Sequence, residues 1–158
     1  MGKTIKLKND IKLDGKSIAI GSAVACWYAG GSITWNTSWT WERLPIYGTT
    51  YNTTGFILSG SAFYVPANVK VIKVSVSASF YNNIVGGDKN IAIFKNGSYY
   101  QSLAYSNYQL TDNFYINMSG VGFVGVSQGD EISIEVNSGG TGQMNIFDST
   151  RVVIEVME

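Results

Sequence analysis

The stretch Val69-Lys-Val-Ile-Lys-Val-Ser-Val-Ser-Ala-Ser-Phe80 belongs to a series of short alternating stretches that runs from Phe63 to Val156. Apolar and polar residues alternate within these stretches, which places successive side chains on opposite faces of a β-strand. The later stretches are Ile91-Ala-Ile-Phe-Lys-Asn-Gly97, Gly122-Phe-Val-Gly-Val-Ser-Gln-Gly-Asp130, Ile132-Ser-Ile-Glu-Val136 and Arg151-Val-Val-Ile-Glu-Val156. Strand signals spaced roughly 8–12 residues apart are typical of a β-sandwich or jelly roll. No segment combines helical periodicity with helix caps, so we expect an all-β fold.

Turn residues between the stretches predict hairpins. Lys95-Asn-Gly97 is expected to form a type I′ turn, because Asn and Gly tolerate positive φ angles. Gln128-Gly-Asp130 predicts a second tight turn. The alternation of the first stretch slips at Ile72, and we interpret the slip as a β-bulge.

Two further regions precede this series. Residues 1–20 contain short alternating runs with turn signals, and we predict that they form an N-terminal β-hairpin or arm. Residues 21–158 are assigned to a single jelly-roll domain. Within that domain we expect Gly30-Gly31 to form a turn that interrupts the strand. The same region holds all four tryptophans, Trp27, Trp35, Trp39 and Trp41.

The composition fits a protein that makes contacts. Hydrophobic residues make up 45% of the 158 residues and charged residues only 14%, against roughly a quarter charged in a typical soluble domain. Gly, Ser, Thr, Asn and Tyr must therefore hydrate the surface, as is common in β-rich extracellular or virion proteins. The same composition fits a chain that buries much of its surface against copies of itself.

The composition also excludes several classes of function. The net charge is zero, so nothing attracts the chain generally to phosphate backbones and no nucleic-acid partner is expected. The absence of histidine removes the commonest general base and most zinc sites, and Cys26 is expected to be a buried apolar residue. No apolar run is long enough for membrane insertion, and the N-terminus carries no signal-peptide pattern.

Four turn carboxylates carry the ligand type that calcium prefers. They are Asp88, Asp130, Glu131 and Asp148. Their spacing matches no known calcium loop, so we predict no metal and no cofactor. Nothing in the sequence brings a pair of carboxylates together for glycoside cleavage, and we predict that the chain is not an enzyme.

A Tyr/Ser/Asn/Gln stretch from Ser98 to Gln109 is similar in composition to an adaptable recognition surface. Aromatic faces stack on the C–H surfaces of sugars, and amide groups form hydrogen bonds with sugar hydroxyls. The candidate ligand-binding residues are Tyr99, Tyr100, Tyr105, Asn107, Tyr108, Trp39 and Trp41. The alternative is that these aromatic side chains pack in the core or between subunits.

The strand series resembles the jelly-roll domain shared by the complement globular head and the tumour necrosis factor family. The resemblance rests on Phe63-Tyr-Val-Pro-Ala-Asn68, the turn at Lys95-Asn-Gly97, the strand, Gly-Asp turn and strand of Gly122–Val136, and the final strand at Val152–Val156. The chain departs from the family pattern near that final strand, where Phe147 is the only aromatic residue.

This resemblance implies a homotrimer in which three jelly rolls pack edge to face. Strands that are apolar on both faces would then contribute to the interface. The candidate interface residues are Ile91, Ile93, Phe94, Val152 and Ile154. The alternative is a monomeric sandwich in which these strands are simply central.

A second resemblance lies at the N-terminus. Thr4-Ile-Lys-Leu-Lys-Asn-Asp-Ile-Lys-Leu-Asp14 is similar to the opening of tail and baseplate-associated structural proteins from phages and prophages of Gram-positive bacteria. Together the two resemblances imply a trimeric, phage-type virion structural protein that attaches to a host surface by binding carbohydrate. It would be found in the virion, or in the bacterial cytoplasm before assembly. Two alternatives stay open, namely an architectural protein that binds only other virion proteins and a bacterial lectin-like adhesion module.

Overall fold

The structure is a computed structural model that describes residues 10–13, 16–19, 23–82, 87–107 and 114–157. Within these ranges the chain forms strands and turns but no helix, and so no helix that could cross a membrane. The all-β prediction is therefore confirmed. The strands are β1 (Asp10–Leu13), β2 (Lys16–Ala19), β3 (Val24–Trp35), β4 (Trp41–Arg43), β5 (Ile46–Asn52), β6 (Ile57–Ser59), β7 (Ala62–Tyr64), β8 (Val71–Asn82), β9 (Lys89–Lys95), β10 (Ser98–Ser106), β11 (Phe114–Gly125), β12 (Glu131–Ser138) and β13 (Gly142–Val156).

Two antiparallel sheets build the body of the fold. One has the order β10-β9-β12-β7-β6, and β4 pairs with the second half of β12. The other has the order β11-β8-β13-β3-β5. Strands far apart in sequence are neighbours, as in β3 beside β13, and this is the arrangement of the predicted jelly roll.

The N-terminal region contains a separate hairpin. Strands β1 and β2 pair antiparallel, with Ile11 opposite Ile18. This pairing falls inside the arm predicted for residues 1–20. The alternating run predicted at Thr4–Lys8 lies outside the described residues.

The core lies between the two sheets and is filled by alternate residues of each strand. In β8 the inward residues are Ile72, Val74, Val76, Ala78 and Phe80, all buried. The register of β8 against β11 is continuous, so the bulge predicted at Ile72 is wrong. The alternation of apolar and polar residues slips near Ile72 because the apolar side chain of Val71 faces outward. The register shift in this sheet lies instead in β13, after Ile146.

Strand β3 also differs from the expectation. It runs without a break through Gly30-Gly31, because both glycines fit special positions in the strand. Gly31 has a φ of 111°, which favours glycine. A Cβ on Gly30 would lie 2.2 Å from Oδ1 of Asp148 on the neighbouring strand. Glycine here permits close approach within a continuous strand, where the sequence pattern indicated a turn.

The predicted Asn-Gly turn is confirmed and is tied to the second predicted turn. Asn96 and Gly97 have φ angles of 52° and 75°, as a type I′ turn requires. The Asn96 amide donates to Oδ1 of Asp130 at 2.8 Å, and its carbonyl oxygen accepts from the Glu131 N–H at 2.8 Å. The amide of Asn96, together with the Lys95 ammonium at 3.0 Å, lowers the pKa of the Asp130 carboxyl.

The predicted interface residues are core residues of a single chain. Ile91, Ile93, Val152 and Ile154 have no exposed surface, and all four belong to the core between the sheets. Phe94 is buried on the opposite face of β9, against Trp41 and Tyr99. A side chain without exposed surface cannot contact a partner, so this interface assignment is corrected. Burial of both faces of β9 within one chain explains its two-sided apolar pattern.

One edge of the sandwich is closed by glycines on β11. A Cβ on Gly120 would lie 2.0 Å from the backbone oxygen of Leu103, on β10 of the other sheet. A Cβ on Gly122 would lie 2.9 Å from the Leu103 side chain and 3.0 Å from Ile93. Any larger residue at Gly120 would force the two sheets apart at this edge.

We therefore expect Gly120→Ala to lower the free energy of unfolding by about 2–3 kcal/mol, the cost of overpacking a closed contact. Gly125→Ala is the matched control, because it lies on the same strand and a Cβ there would meet nothing within 4 Å. Its effect should stay within about 0.5 kcal/mol. Urea denaturation of both variants measures the difference, and equal midpoints would contradict the closed-edge interpretation.

Candidate ligand-binding site

A cleft opens where the two edge strands separate. Strands β10 and β11 touch at Leu103 and Gly120 but diverge toward the next residues of β10. The resulting cleft has a volume of about 390 Å³. It is lined by Ala104, Tyr105, Ser106, Asn107, Asn117, Met118 and Ser119. Two of the predicted ligand-binding residues, Tyr105 and Asn107, therefore share one cleft.

Tyr105 is the exposed aromatic side chain of this cleft. It is 56% exposed, and its hydroxyl interacts with the carboxylate of Asp88. Hydrogen bonding to that carboxylate is the main reason why the pKa of Tyr105 is raised above its ordinary value.

Trp39 is exposed near the same end of the sandwich. Its side chain is 55% exposed, and its backbone φ is 65°, an unusual value for a bulky residue. The Trp39 N–H donates to the Ser138 carbonyl at 2.7 Å, and the Asn137 amide donates to the Trp39 carbonyl at 2.8 Å. The structure thus holds an exposed tryptophan in a strained backbone conformation, and such strain clusters at functional sites.

Asp88 connects the two exposed aromatic residues. Its carboxylate contacts Tyr105, and its backbone carbonyl accepts from the Gly139 N–H at 2.8 Å. A Cβ on Gly139 would lie 3.0 Å from both the Asp88 nitrogen and Cζ2 of Trp39. Trp39 and Asp88 therefore lie against the same glycine, and Trp39, Asp88 and Tyr105 form a group that we call the aromatic end.

The other predicted ligand residues lie elsewhere. Trp41 and Tyr99 pack around Phe94, with ring centroids 5.2 Å and 5.9 Å from it. The Tyr100 hydroxyl instead lies 3.4 Å from the backbone nitrogen of Gly125. Tyr108 lies outside the described residues. Of the candidate ligand-binding residues, the structure brings Tyr105, Asn107 and Trp39 to one end of the sandwich and places Trp41, Tyr99 and Tyr100 elsewhere.

Two members of the site were missed at the level of sequence. The sequence marks Asp88 as a turn carboxylate, and its interaction with Tyr105 depends on the register between β9 and β10. Ser106 is only 8% exposed, and its hydroxyl has no hydrogen-bond partner among the described residues. Its position in a Tyr/Ser/Asn/Gln stretch was the available signal, but nothing in that stretch distinguished Ser106 from its neighbours.

Each of the four carboxylates considered as calcium ligands has its own protein partner. Asp88 contacts Tyr105, and Asp148 accepts from the Tyr47 hydroxyl at 2.8 Å. Asp130 and Glu131 are engaged by Asn96 and Arg43. Among the residues that the structure describes, no three His, Cys, Asp or Glu side chains gather as they would around a metal ion.

A second group of exposed side chains lies on the outward side of the five-stranded sheet, formed by β11, β8, β13, β3 and β5. Four apolar or aromatic side chains are exposed there, and we call them the aromatic face: Tyr115, Val121, Phe123 and Phe147. Tyr115 stacks on Phe147 with ring centroids 5.6 Å apart. A shallow groove of about 200 Å³ runs beside Val121 and Val153. Three of the four side chains carry no polar group, so their exposure to water is unfavourable in free energy.

Comparisons with known proteins show the fold. No protein-family profile and no curated protein sequence matches the chain. Murine APRIL is similar in structure, with a TM-score of 0.63 at 11% identity, over 85% of this chain and 98% of that one. The Eiger TNF of S. frugiperda has a TM-score of 0.62 at 9% identity, over 88% of this chain and 94% of that one.

A complement protein has the same fold. The globular domain of zebrafish complement 1qA has a TM-score of 0.57 at 9% identity, over 86% of this chain and 98% of that one. These proteins are jelly-roll domains of the tumour necrosis factor and complement-head type. The predicted fold class is confirmed, and at these identities the similarity is one of fold.

Stability measurements distinguish a structural role of Trp39 from a role in binding. In Trp39→Gly the loss of partial ring burial is offset by relief of the positive φ angle, so the free energy of unfolding should change by less than about 1 kcal/mol. The control is Trp35→Ala, because Trp35 is fully buried and its truncation should cost about 3–5 kcal/mol. A loss in Trp39→Gly as large as that in Trp35→Ala would show that Trp39 is a core residue.

Proposed function

We propose that the chain is a non-catalytic attachment module that acts as a homotrimer and binds carbohydrate on a host surface. The observation that carries the proposal is the aromatic end, where the exposed side chain of Tyr105 interacts with the Asp88 carboxylate and exposed Trp39 lies against the same glycine as the Asp88 backbone. Aromatic rings beside a hydrogen-bonding carboxylate provide both a stacking surface and polar contacts for a sugar. Exposed aromatic side chains in such an arrangement are common in recognition surfaces.

Self-association is supported by the aromatic face. Val121, Phe123 and Phe147 expose apolar surface on the outward side of a sheet, and apolar surface of this kind marks interaction sites. The salt bridge between Lys73 and Glu155, at 2.7 Å, lies beside Phe123 in the sheet. Phe123 therefore exposes apolar surface with a charged pair beside it, as occurs where the apolar part of a protein interface meets its polar rim. The trimer implied by the family resemblance therefore has a surface in one chain that could form it.

The virion setting is the part of the proposal that rests on sequence resemblance. The run from Thr4 to Asp14 resembles tail and baseplate-associated proteins of phages. In that setting the chain would also contact other virion proteins, and the carbohydrate site would face the host. A purely architectural role, or a bacterial adhesion role, would leave the same fold with a different partner.

The proposed assembly predicts a mass of three 17.2 kDa chains in solution. We expect Phe123→Lys to weaken association by about 100-fold, because it places a charge in an apolar interface. Multi-angle light scattering over a range of concentrations measures the change.

The matched control for this variant is Ile57→Lys. Ile57 is 67% exposed and Phe123 56% exposed, but Ile57 lies on the other sheet. The control should keep the mass of the parent protein. A parent protein that elutes at the mass of one chain, or equal effects of the two substitutions, would contradict assembly through the aromatic face.

Carbohydrate binding is tested on a glycan array with the parent protein and three variants. We expect Trp39→Gly and Tyr105→Ala each to reduce binding by about tenfold or more, since each removes a stacking surface. Tyr100→Ala is the control, because Tyr100 is an exposed tyrosine of the same strand that lies outside the cleft. No binding by the parent protein, together with co-purification with virion proteins, would favour the architectural alternative.

A further inference from the structure

We propose that the cleft between β10 and β11 is a subsite for one uncharged sugar ring, with a ring hydroxyl bonded to Ser106. This inference rests on the carbohydrate binding proposed above and names the chemistry of the ligand. It adds a polar contact deep in the cleft to the stacking surfaces of the aromatic end. Three observations lead to it, namely an unpartnered hydroxyl, an uncharged lining and the position of the cleft beside Tyr105.

The first observation is the Ser106 hydroxyl. Ser106 lines the cleft, its residue is 8% exposed, and among the described residues its Oγ has no hydrogen-bond partner. A buried hydroxyl without a partner is costly in the free protein, because it has lost its hydrogen bonds to water. Oγ itself is covered in the free protein, so a ligand hydroxyl would have to displace the neighbouring edge of the cleft before it could donate to Oγ or accept from it. The free protein therefore carries a polar cost that a ligand would remove.

The second observation is the absence of charge in the lining. Among the described residues that line the cleft, the polar groups are the side chains of Tyr105, Ser106, Asn107, Asn117 and Ser119, and none is ionised at neutral pH. These hydroxyls and amides can donate and accept, which suits the hydroxyls of a sugar. A carboxylate or phosphate would find no cation in this lining and would lie close to the Asp88 carboxylate that binds Tyr105.

Lys89, which pairs with Ser106 in the register of β9 and β10, does not add a positive charge to the described lining of the cleft. Lys89 is the register partner of Ser106 on β9, but it is buried. Its ammonium donates to the Gly87 carbonyl at 3.1 Å. Its side chain is not among those that line the cleft. The local charges of Asp88 and Lys89 therefore oppose each other, and the described part of the lining stays uncharged.

The third observation is the size and place of the cleft. Its volume of about 390 Å³ is at the small end of ligand pockets, which run from roughly 300 to 1,000 Å³. This suits one sugar ring better than a long chain. Because Tyr105 belongs to both the cleft and the aromatic end, a longer glycan could place one ring in the cleft and a neighbouring ring over the aromatic end.

The test is calorimetric titration of the full chain with methyl glycosides of glucose, galactose, mannose and N-acetylglucosamine. Glucuronic acid and glucosamine serve as charged counterparts. In Ser106→Ala we expect the affinity for the neutral glycoside that binds to fall by about tenfold. The urea midpoint of the free variant should be unchanged or higher, because the substitution removes an unpartnered buried hydroxyl. Ser102→Ala is the control, since Ser102 is an exposed serine of the same strand outside the cleft.

The outcomes separate this inference from the proposed function. Binding that is lost in Tyr105→Ala but unchanged in Ser106→Ala would overturn the subsite and leave carbohydrate binding in place. Equal affinity for glucose and glucuronic acid would overturn the requirement for an uncharged ring. If the parent protein bound none of these sugars and none on the glycan array, both proposals would fail. A loss of affinity in Ser106→Ala with retained stability would support the subsite, because a purely structural serine would lower both.

Discussion

The close contact between Leu103 on β10 and Gly120 on β11 determines how the two sheets meet. Leu103 lies at an irregular point in the register of β10 with β9, and its backbone oxygen occupies the space where a side chain at Gly120 would be. The sheets therefore touch along a short part of this edge. Beyond that contact, toward Ala104 and Ser119, the edge opens into the cleft. The same constraint that closes the core thus creates the concave site beside it.

The six-stranded sheet, formed by β10, β9, β12, β7, β6 and β4, buries side chains on both of its faces. Ile91 and Ile93 fill the core from one face of β9, while Phe94 is covered on the other face by Trp41 and Tyr99. Aromatic side chains of the same sheet therefore cover the outward face of β9. Exposed apolar and aromatic side chains remain on both sheets, with Ile57 and Tyr99 on this one and Val121, Phe123 and Phe147 on the other. Uncovered apolar area favours association, and Val121 and Phe123 offer one surface for the contact between copies proposed above. That surface borders the cleft, since Ser119 lines both.

The polar groups at the aromatic end are held in place by backbone geometry. Trp39 keeps an unfavourable φ angle because Asn137 and Ser138 bond to its backbone. Tyr105 interacts with Asp88, whose backbone carbonyl accepts from the Gly139 N–H. Side chains that are held before binding lose little conformational entropy when a ligand arrives. Such an arrangement of exposed rings suits the recognition proposed above.

The sequence by itself determined most strands of the later half, the Asn96-Gly97 turn and the class of fold, because these depend on local properties. Alternation in β8 and positive φ angles at Asn96-Gly97 can be read from neighbouring residues. Which tyrosines share a site could not be read in this way. Tyr99, Tyr100 and Tyr105 look equivalent in the sequence, but register shifts in β10 and the distant Asp88 send them to different surroundings. Only the tertiary structure decided which faces are covered and which remain open, since those outcomes depend on residues far apart in the chain.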